Sequence, residues 1–200
     1  SYTYVANQSA ADDLDAGDTT TDAFNYTLSD GTATDVGTLT FTVTGVNDAP
    51  VGVNDTDAVD EDATVTVSDG DDEDVLGDDT DADDSASLSV SSFRTGSTEG
   101  SGTEGTLGSA LTGTYGQLTL NANGSYTYVA NQSAADDLSA GETATDSFNY
   151  TVSDGTTTDT ATLTFTITGV NNDAQFIIKT ETLTTPPITG GPNPQINPVT

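Results

Sequence analysis

The chain has no cysteine, no histidine and no methionine, and only two of its 200 residues, Arg94 and Lys179, are basic. Without cysteine there are no disulfides, no thiol nucleophile and no thiolate metal site, and the redox compartment stays open. Without histidine the commonest general base and the commonest transition-metal ligand are missing. The 33 acids leave a formal net charge of -31. Such a surface repels nucleic acid and anionic membranes, so neither is expected as a partner. No apolar run reaches the roughly 18 residues of a spanning helix, so no membrane insertion is expected, and no signal peptide is visible. The missing methionine is read as the mark of a processed or excised piece.

What is present is a long internal repeat. Ser1–Asn47 returns as Ser125–Asn171 at a constant offset, with differences at nine positions, among them Asp15/Ser139, Gly37/Ala161 and Val43/Ile167. Self-similarity of this length points to tandem modules rather than a lone globule. The second copy is preceded by LTGTYGQLTLNANG; the first has nothing before it.

Hydrophobic content is low, at 32%, but it falls in short alternating runs, the pattern of half-buried strands. SYTYVA, DAFNYTLSD and VGTLTFTVTG are read as three strands, the last two a hairpin around Asp30-Gly31. AADDL is long enough for one helical turn. Pro50 marks a module boundary. Beyond it, a strand is expected near 63–68 and another at 87–93, with an acidic loop between them that carries an apolar plug, Val75-Leu76. A Gly/Ser/Thr-rich excursion follows from Arg94. A hairpin then turns at Asn121–Gly124, and the repeat of the first hairpin closes the unit. Tyr2, Tyr4, Tyr126 and Tyr128 alternate as core or half-buried pairs. Asn25 and Asn149 are read as outward polar positions.

About seven short strands with no long helix describe an antiparallel β-sandwich. The expected fold is all-β: tandem Ig/cadherin-like modules, the first incomplete and completed by another chain. The expected divisions are 1–47 (the C-terminal half of a repeat), 48–173 (a complete repeat) and 174–200 (an extra strand and a Pro-rich tail).

The runs TLTFTVTGVNDAP, VNDTDAVDEDATVTVS, VLGDDTDADD and YGQLTLNANGSYTYVAN, together with the closing AGETATDSFNYTVSDGTTTDTATLTFTITGVN, resemble the VCBS repeat, a module of large bacterial adhesins related to cadherin-like and immunoglobulin-like repeats. The resemblance implies an extracellular or cell-surface sandwich, strung in tandem, calcium-dependent and without enzymatic activity.

The acid excess has a bland reading, a solvated surface, and a sharper one, hard-cation binding by carboxylates at short spacing. For the sharper reading the candidate Ca2+ ligands are Asn47, Asp48, Asp55, Asp57, Glu61 and Asp62 near the boundary, and Asp79, Asp81 and Asp83 in the acidic loop. The D-x-D-x-D start of that loop resembles an EF-hand, but no glycine or bidentate Glu follows at the required places. A three-stranded remnant would leave an open edge and an uncovered face. The tail offers a donor strand, with Phe176 and Ile178 facing one way and Ile177 and Leu183 the other, which would join copies of the chain head to tail in a filament. The rival reading is a carbohydrate- or surface-binding adhesin module cut from a longer array, with surface glycans as partners. Catalysis is the least supported class, because the acids lie in linkers and turns.

Overall fold

Alternation of Phe, Tyr, Val and Leu with Thr, Ser and Asn makes each half of the repeat close as a long hairpin. The turn is fixed by Asp-Gly: Asp30 Oδ1 accepts the N–H of Thr32 and of Ala33 at 2.8 Å, and Gly31 takes a φ of +89° that a side chain would oppose. The computed structural model describes residues 1–83 and 85–171. In chain order they form α1 (Ser9–Asp12), β1 (Thr19–Ser29), β2 (Thr34–Thr44), β3 (Asp55–Asp60), β4 (Thr64–Val67), β5 (Ser89–Thr95), β6 (Leu111–Thr112), β7 (Gln117–Leu120), β8 (Tyr126–Val129), α2 (Ser133–Asp136), β9 (Thr143–Ser153) and β10 (Thr158–Thr168).

Two four-stranded sheets, ordered β3-β10-β9-β5 and β4-β8-β7-β6, face each other as a β-sandwich. Their inner faces share one core, in which Tyr128 of β8 stacks on Phe165 of β10 with ring centroids 3.9 Å apart. Tyr126 and Phe148 meet the same Phe165 ring edge-on. Each such aromatic pair contributes about 0.5–1.5 kcal/mol beyond the area it buries. The plug also forms: Val75 is fully buried and donates its N–H to Gly124 O in the β7–β8 turn. Among the described residues no helix is long and apolar enough to cross a membrane.

Four local expectations are corrected. First, SYTYVA of the first copy is not a strand, although the identical residues form β8 in the second. In the second copy β4 and β7 flank that segment and satisfy its backbone; beside Tyr2–Val5 no described strand does. Second, a strand not expected from the sequence, β3, follows Pro50, and it runs parallel to β10 from Asp55↔Leu163 to Asp60↔Thr168. The sandwich is therefore not purely antiparallel. Third, the excursion after Arg94 folds back: Arg94 pairs with Glu104 at 2.6 Å, and Gly105 donates its N–H to Phe93 O. Fourth, Asn149 is buried, and its Nδ2 donates to Gly96 O at 2.9 Å, holding that excursion down.

The hairpin β1–β2 makes a two-stranded sheet of its own. Phe24 is 48% exposed, whereas its counterpart Phe148 is 1% exposed. Tyr2, Tyr26, Leu28 and Val36 are likewise exposed. The same sequence thus gives a core in one half of the molecule and an apolar surface in the other.

Candidate functional site

The seam between the β1–β2 hairpin and the sandwich is built from acids contributed by both. Asp48 donates its N–H to Asp83 Oδ2 at 3.0 Å, and Asp83 donates its own to Asp81 Oδ1 at 2.9 Å. Asn47 Nδ2 donates to Asp154 Oδ2 at 2.8 Å, to Thr157 Oγ1 at 3.0 Å and to Asp48 O. From the first copy Asp15 reaches across and accepts both the N–H and the hydroxyl of Ser85. A cleft of about 310 Å³ opens between Asp15, Asn47, Asp83 and Asp154.

Charge accumulates here without matching donors. Asp81 Oδ2 and Asp83 Oδ1 are buried with no hydrogen-bond partner. Desolvation raises the Asp83 carboxyl, and the neighbouring charges of Asp81, Asp48 and Asp15 push it further in the same direction. Asp154 is held well below the usual carboxylate range, first by the Thr157 N–H, then by Asn47 and by the Thr156 N–H. A hard cation would give the orphaned oxygens a partner, and carboxylate, amide and carbonyl oxygens are the ligands that calcium takes. Among the described residues no three His, Cys, Asp or Glu side chains come together as a ready-made metal site. Two carboxylates about 4 Å apart repel by roughly 4 kcal/mol at an effective dielectric near 20.

The other expected ligands lie elsewhere. Asp55 and Asp79 sit near the entry to β3, around the Tyr150 hydroxyl. That hydroxyl lies 2.8 Å from Asp55 Oδ2, 2.9 Å from Val53 O and 2.8 Å from Val75 O. One hydroxyl proton cannot serve three acceptors at once, so the Tyr150 hydroxyl is shared between the Asp55 carboxyl and the two carbonyls. Burial pushes the Asp55 carboxyl up to about 7, the Tyr150 bond opposes that shift, and Asp78, Asp79 and Asp74 add to it. Asp79 rises to about 6, again chiefly by burial, although its Oδ1 accepts the Val53 N–H at 2.6 Å. Its Oδ2 is buried with no partner. Asp57 accepts the Tyr126 hydroxyl at 2.9 Å. Glu61 and Asp62 follow the far end of β3, about 20 Å along the strand from Asp55. Glu61 Oε1 there accepts the Val170 N–H at 2.8 Å.

The nine expected ligands therefore divide. Asn47, Asp48, Asp81 and Asp83 share the seam, Asp55 and Asp79 share the Tyr150 pocket, Asp57 pairs alone with Tyr126, and Glu61 and Asp62 stand at the opposite pole. Phe176, Ile177, Ile178 and Leu183 lie outside the described residues. Reading by sequence cluster missed Asp15, Asp154 and Tyr150. Asp15 left a signal, because the repeat has Ser139 at the matching place. An acid is added there only in the copy that faces Ser85.

A family profile described as the bacterial cadherin-like domain matches residues 47–169, more than half of the chain. The chain belongs to this family. The cadherin-like match takes in the whole sandwich together with Asn47 and Asp48 at the seam. No curated protein matches the chain. Among solved structures the cadherin-like chain is similar to the endo-fucoidan hydrolase MfFcnA4 of glycoside hydrolase family 107, at 18% identity and a TM-score of 0.33. The alignment covers 80% of this chain but only 20% of that one, so the chain spans about a fifth of the length of that enzyme. A second fucoidan hydrolase, MfFcnA9, gives 14% identity, 73% and 22% coverage, and a TM-score of 0.29. A protein from Bacteroides thetaiotaomicron gives 15% identity over 62% of this chain and 90% of that one, with a TM-score of 0.27.

Proposed function

We propose that this cadherin-like chain is a structural, non-catalytic unit of a bacterial extracellular filament or adhesin stalk, of the VCBS type, and that Ca2+ stiffens its seam. The cadherin-like family supports an extracellular, adhesion-type role. The observation that carries the calcium reading is the pair of buried, unpartnered oxygens, Asp81 Oδ2 and Asp83 Oδ1, beside Asn47 and Asp48. Asp81, Asp83, Asp48 and Asn47 would hold the ion, with Asp15 and Asp154 closing the cleft. Bound calcium would neutralise the repulsion and tie the hairpin to the sandwich as one stiff body. In the same reading the uncovered hairpin is completed by another copy, whose 174–200 tail adds a strand along an open edge of β1–β2. Such a contact does not close on itself and propagates head to tail.

Thermal melts with and without chelator test the calcium. At free Ca2+ about 100-fold above the dissociation constant, a site adds about 2.7 kcal/mol of stability, and Asp83→Asn removes most of the gain. A melt that is the same in excess EDTA and in calcium at low salt rejects the metal. Electron microscopy of the chain with and without residues 174–200 tests the assembly. Polymers that persist after truncation reject tail donation.

A further inference from the structure

Around the Tyr150 hydroxyl the sandwich gathers more acceptors than donors. Asp55 Oδ2, Val53 O and Val75 O lie 2.8, 2.9 and 2.8 Å from it, and its one proton serves one of them at a time. Asp79 lines the same pocket. Its Oδ1 accepts the Val53 N–H at 2.6 Å, so Asp79 and Tyr150 hold the two polar ends of one residue. Asp79 is only 9% exposed, and its other oxygen, Oδ2, is buried with no hydrogen-bond partner.

A buried carboxylate oxygen left over from a hydrogen-bond network calls for a water or an ion. The charge balance favours the ion, because a water brings donors but no charge. Burial raises both the Asp55 and the Asp79 carboxyls, and Asp78 and Asp74 add their charge to each. No protein cation answers them. Arg94, the only basic side chain among the described residues, is taken by Glu104. Buried charges are unfavourable unless they are paired or bind a metal.

Three segments distant in sequence meet here. The stretch leading into β3 gives Val53 and Asp55, the acidic loop gives Val75 and Asp79, and β9 gives Tyr150. Carboxylates mixed with main-chain carbonyls and a hydroxyl suit calcium, which takes about six to eight oxygens in flexible geometry; magnesium demands a near-ideal octahedron and keeps its waters. Such a cage needs only two acids, so it does not depend on a cluster of three.

We propose that this pocket is a calcium site distinct from the seam, in which Asp55 and Asp79 supply the charge and Val53 O, Val75 O and the Tyr150 hydroxyl supply neutral oxygens. The ion staples the start of β3 to the acidic loop and to β9. It therefore stabilises the sandwich itself, whereas an ion at the seam ties the hairpin to the sandwich. The pocket does not rest on the seam reading, since Asn47, Asp48, Asp81 and Asp83 take no part in it.

Tyr150 supplies the probe, because an excited tyrosine passes energy to a Tb3+ ion bound beside it. The full chain is titrated with Tb3+ in about 0.1 M KCl, which screens exposed charges beyond about 10 Å. Emission excited through tyrosine is followed, and then its displacement by Ca2+. The expected result is saturable emission that Ca2+ removes and that Asp83→Asn retains. Asp79→Asn keeps an oxygen for the Val53 N–H and removes charge, so it should weaken the affinity at least about tenfold. Calcium calorimetry on the Asp83→Asn chain should still count a bound ion, and a count of none overturns the site. A dark titration leaves the pocket to water or a proton and overturns it as well, as does emission unchanged by Asp79→Asn. Emission lost in Asp83→Asn and kept in Asp79→Asn assigns the ion to the seam, which stands while the pocket falls. Loss in both means one shared ion and overturns a distinct site. Calcium binding that Asp83→Asn leaves unaltered and Asp79→Asn abolishes supports the pocket and rejects the seam.

Discussion

Asn47 and Asp154 are 107 positions apart in sequence, and Asn47 Nδ2 donates to Asp154 Oδ2 at 2.8 Å. This bond fastens the strand leaving the hairpin to the β9–β10 turn of the sandwich, and it is one of several donors that keep the Asp154 carboxyl ionised.

Asp154 should accordingly titrate below the ordinary aspartate range, because donors in the folded chain favour its charged form. A depressed folded value gives stability that is present above the unfolded value, near 3.9, and is lost as pH falls through the folded one. Asn47→Ala removes one donor and leaves the Thr156 and Thr157 N–H groups, so the midpoint should move up only part of the way. Carboxyl chemical shifts followed from pH 5 downward measure both midpoints.

Asp55 and Asp79 carry the opposite sign. Their folded values, about 7 and about 6, lie above the unfolded value, so the folded state binds more protons in between. Their contribution is full below about pH 4 and is lost as pH rises through about 6 to 7. With divalent ions removed, the sandwich should be less stable at pH 8 than at pH 5, judged by urea midpoints. Asp55→Asn should flatten that slope.

Asp146 is buried and accepts three backbone N–H groups and the Tyr128 hydroxyl. Asp146→Asn keeps the shape, halves the acceptor oxygens and points an NH₂ at other donors. The cost should be about 3 kcal/mol, the loss typical of hydrogen bonds to a buried charge. Asp22→Asn makes the same change on the exposed hairpin and should cost nothing measurable. Denaturant unfolding of the two variants gives the comparison.

A second matched pair tests the core. Phe165 is fully buried and stacked on Tyr128, and Phe41 is its half-buried counterpart. Phe165→Ala should destabilise by about 3–5 kcal/mol. Phe41→Ala should cost a fraction of that, because half of its surroundings is already water.

The hairpins, the Asp-Gly turns, the single helical turns and the two-layer sandwich were legible because each is written in local alternation and turn chemistry. What escaped was decided by distant parts of the chain. Ser1–Ala6 and Ser125–Ala130 are identical, yet only one copy becomes a strand, since flanking strands decide it. β3 alternates Asp55, Asp57 and Val59, a mostly polar row that concealed its parallel pairing with β10. The acids were visible as clusters, but β3 carries Asp55 and Glu61 to opposite ends of the module. Asp15 joined the seam from a position that sequence proximity would never have grouped with Asp83.

The parallel pairing of β3 with β10 also has a mechanical meaning. β3 begins at Asp55 and β10 ends at Thr168, and these two ends lie at opposite poles of two side-by-side strands. Tension along the polypeptide therefore slides β3 against β10 and loads every rung between Asp55↔Leu163 and Asp60↔Thr168 at once. They must fail together in shear; they cannot open one after another like a zip. Under tension this module thus resists force through β3–β10, the one pair among the described strands that departs from the antiparallel pattern.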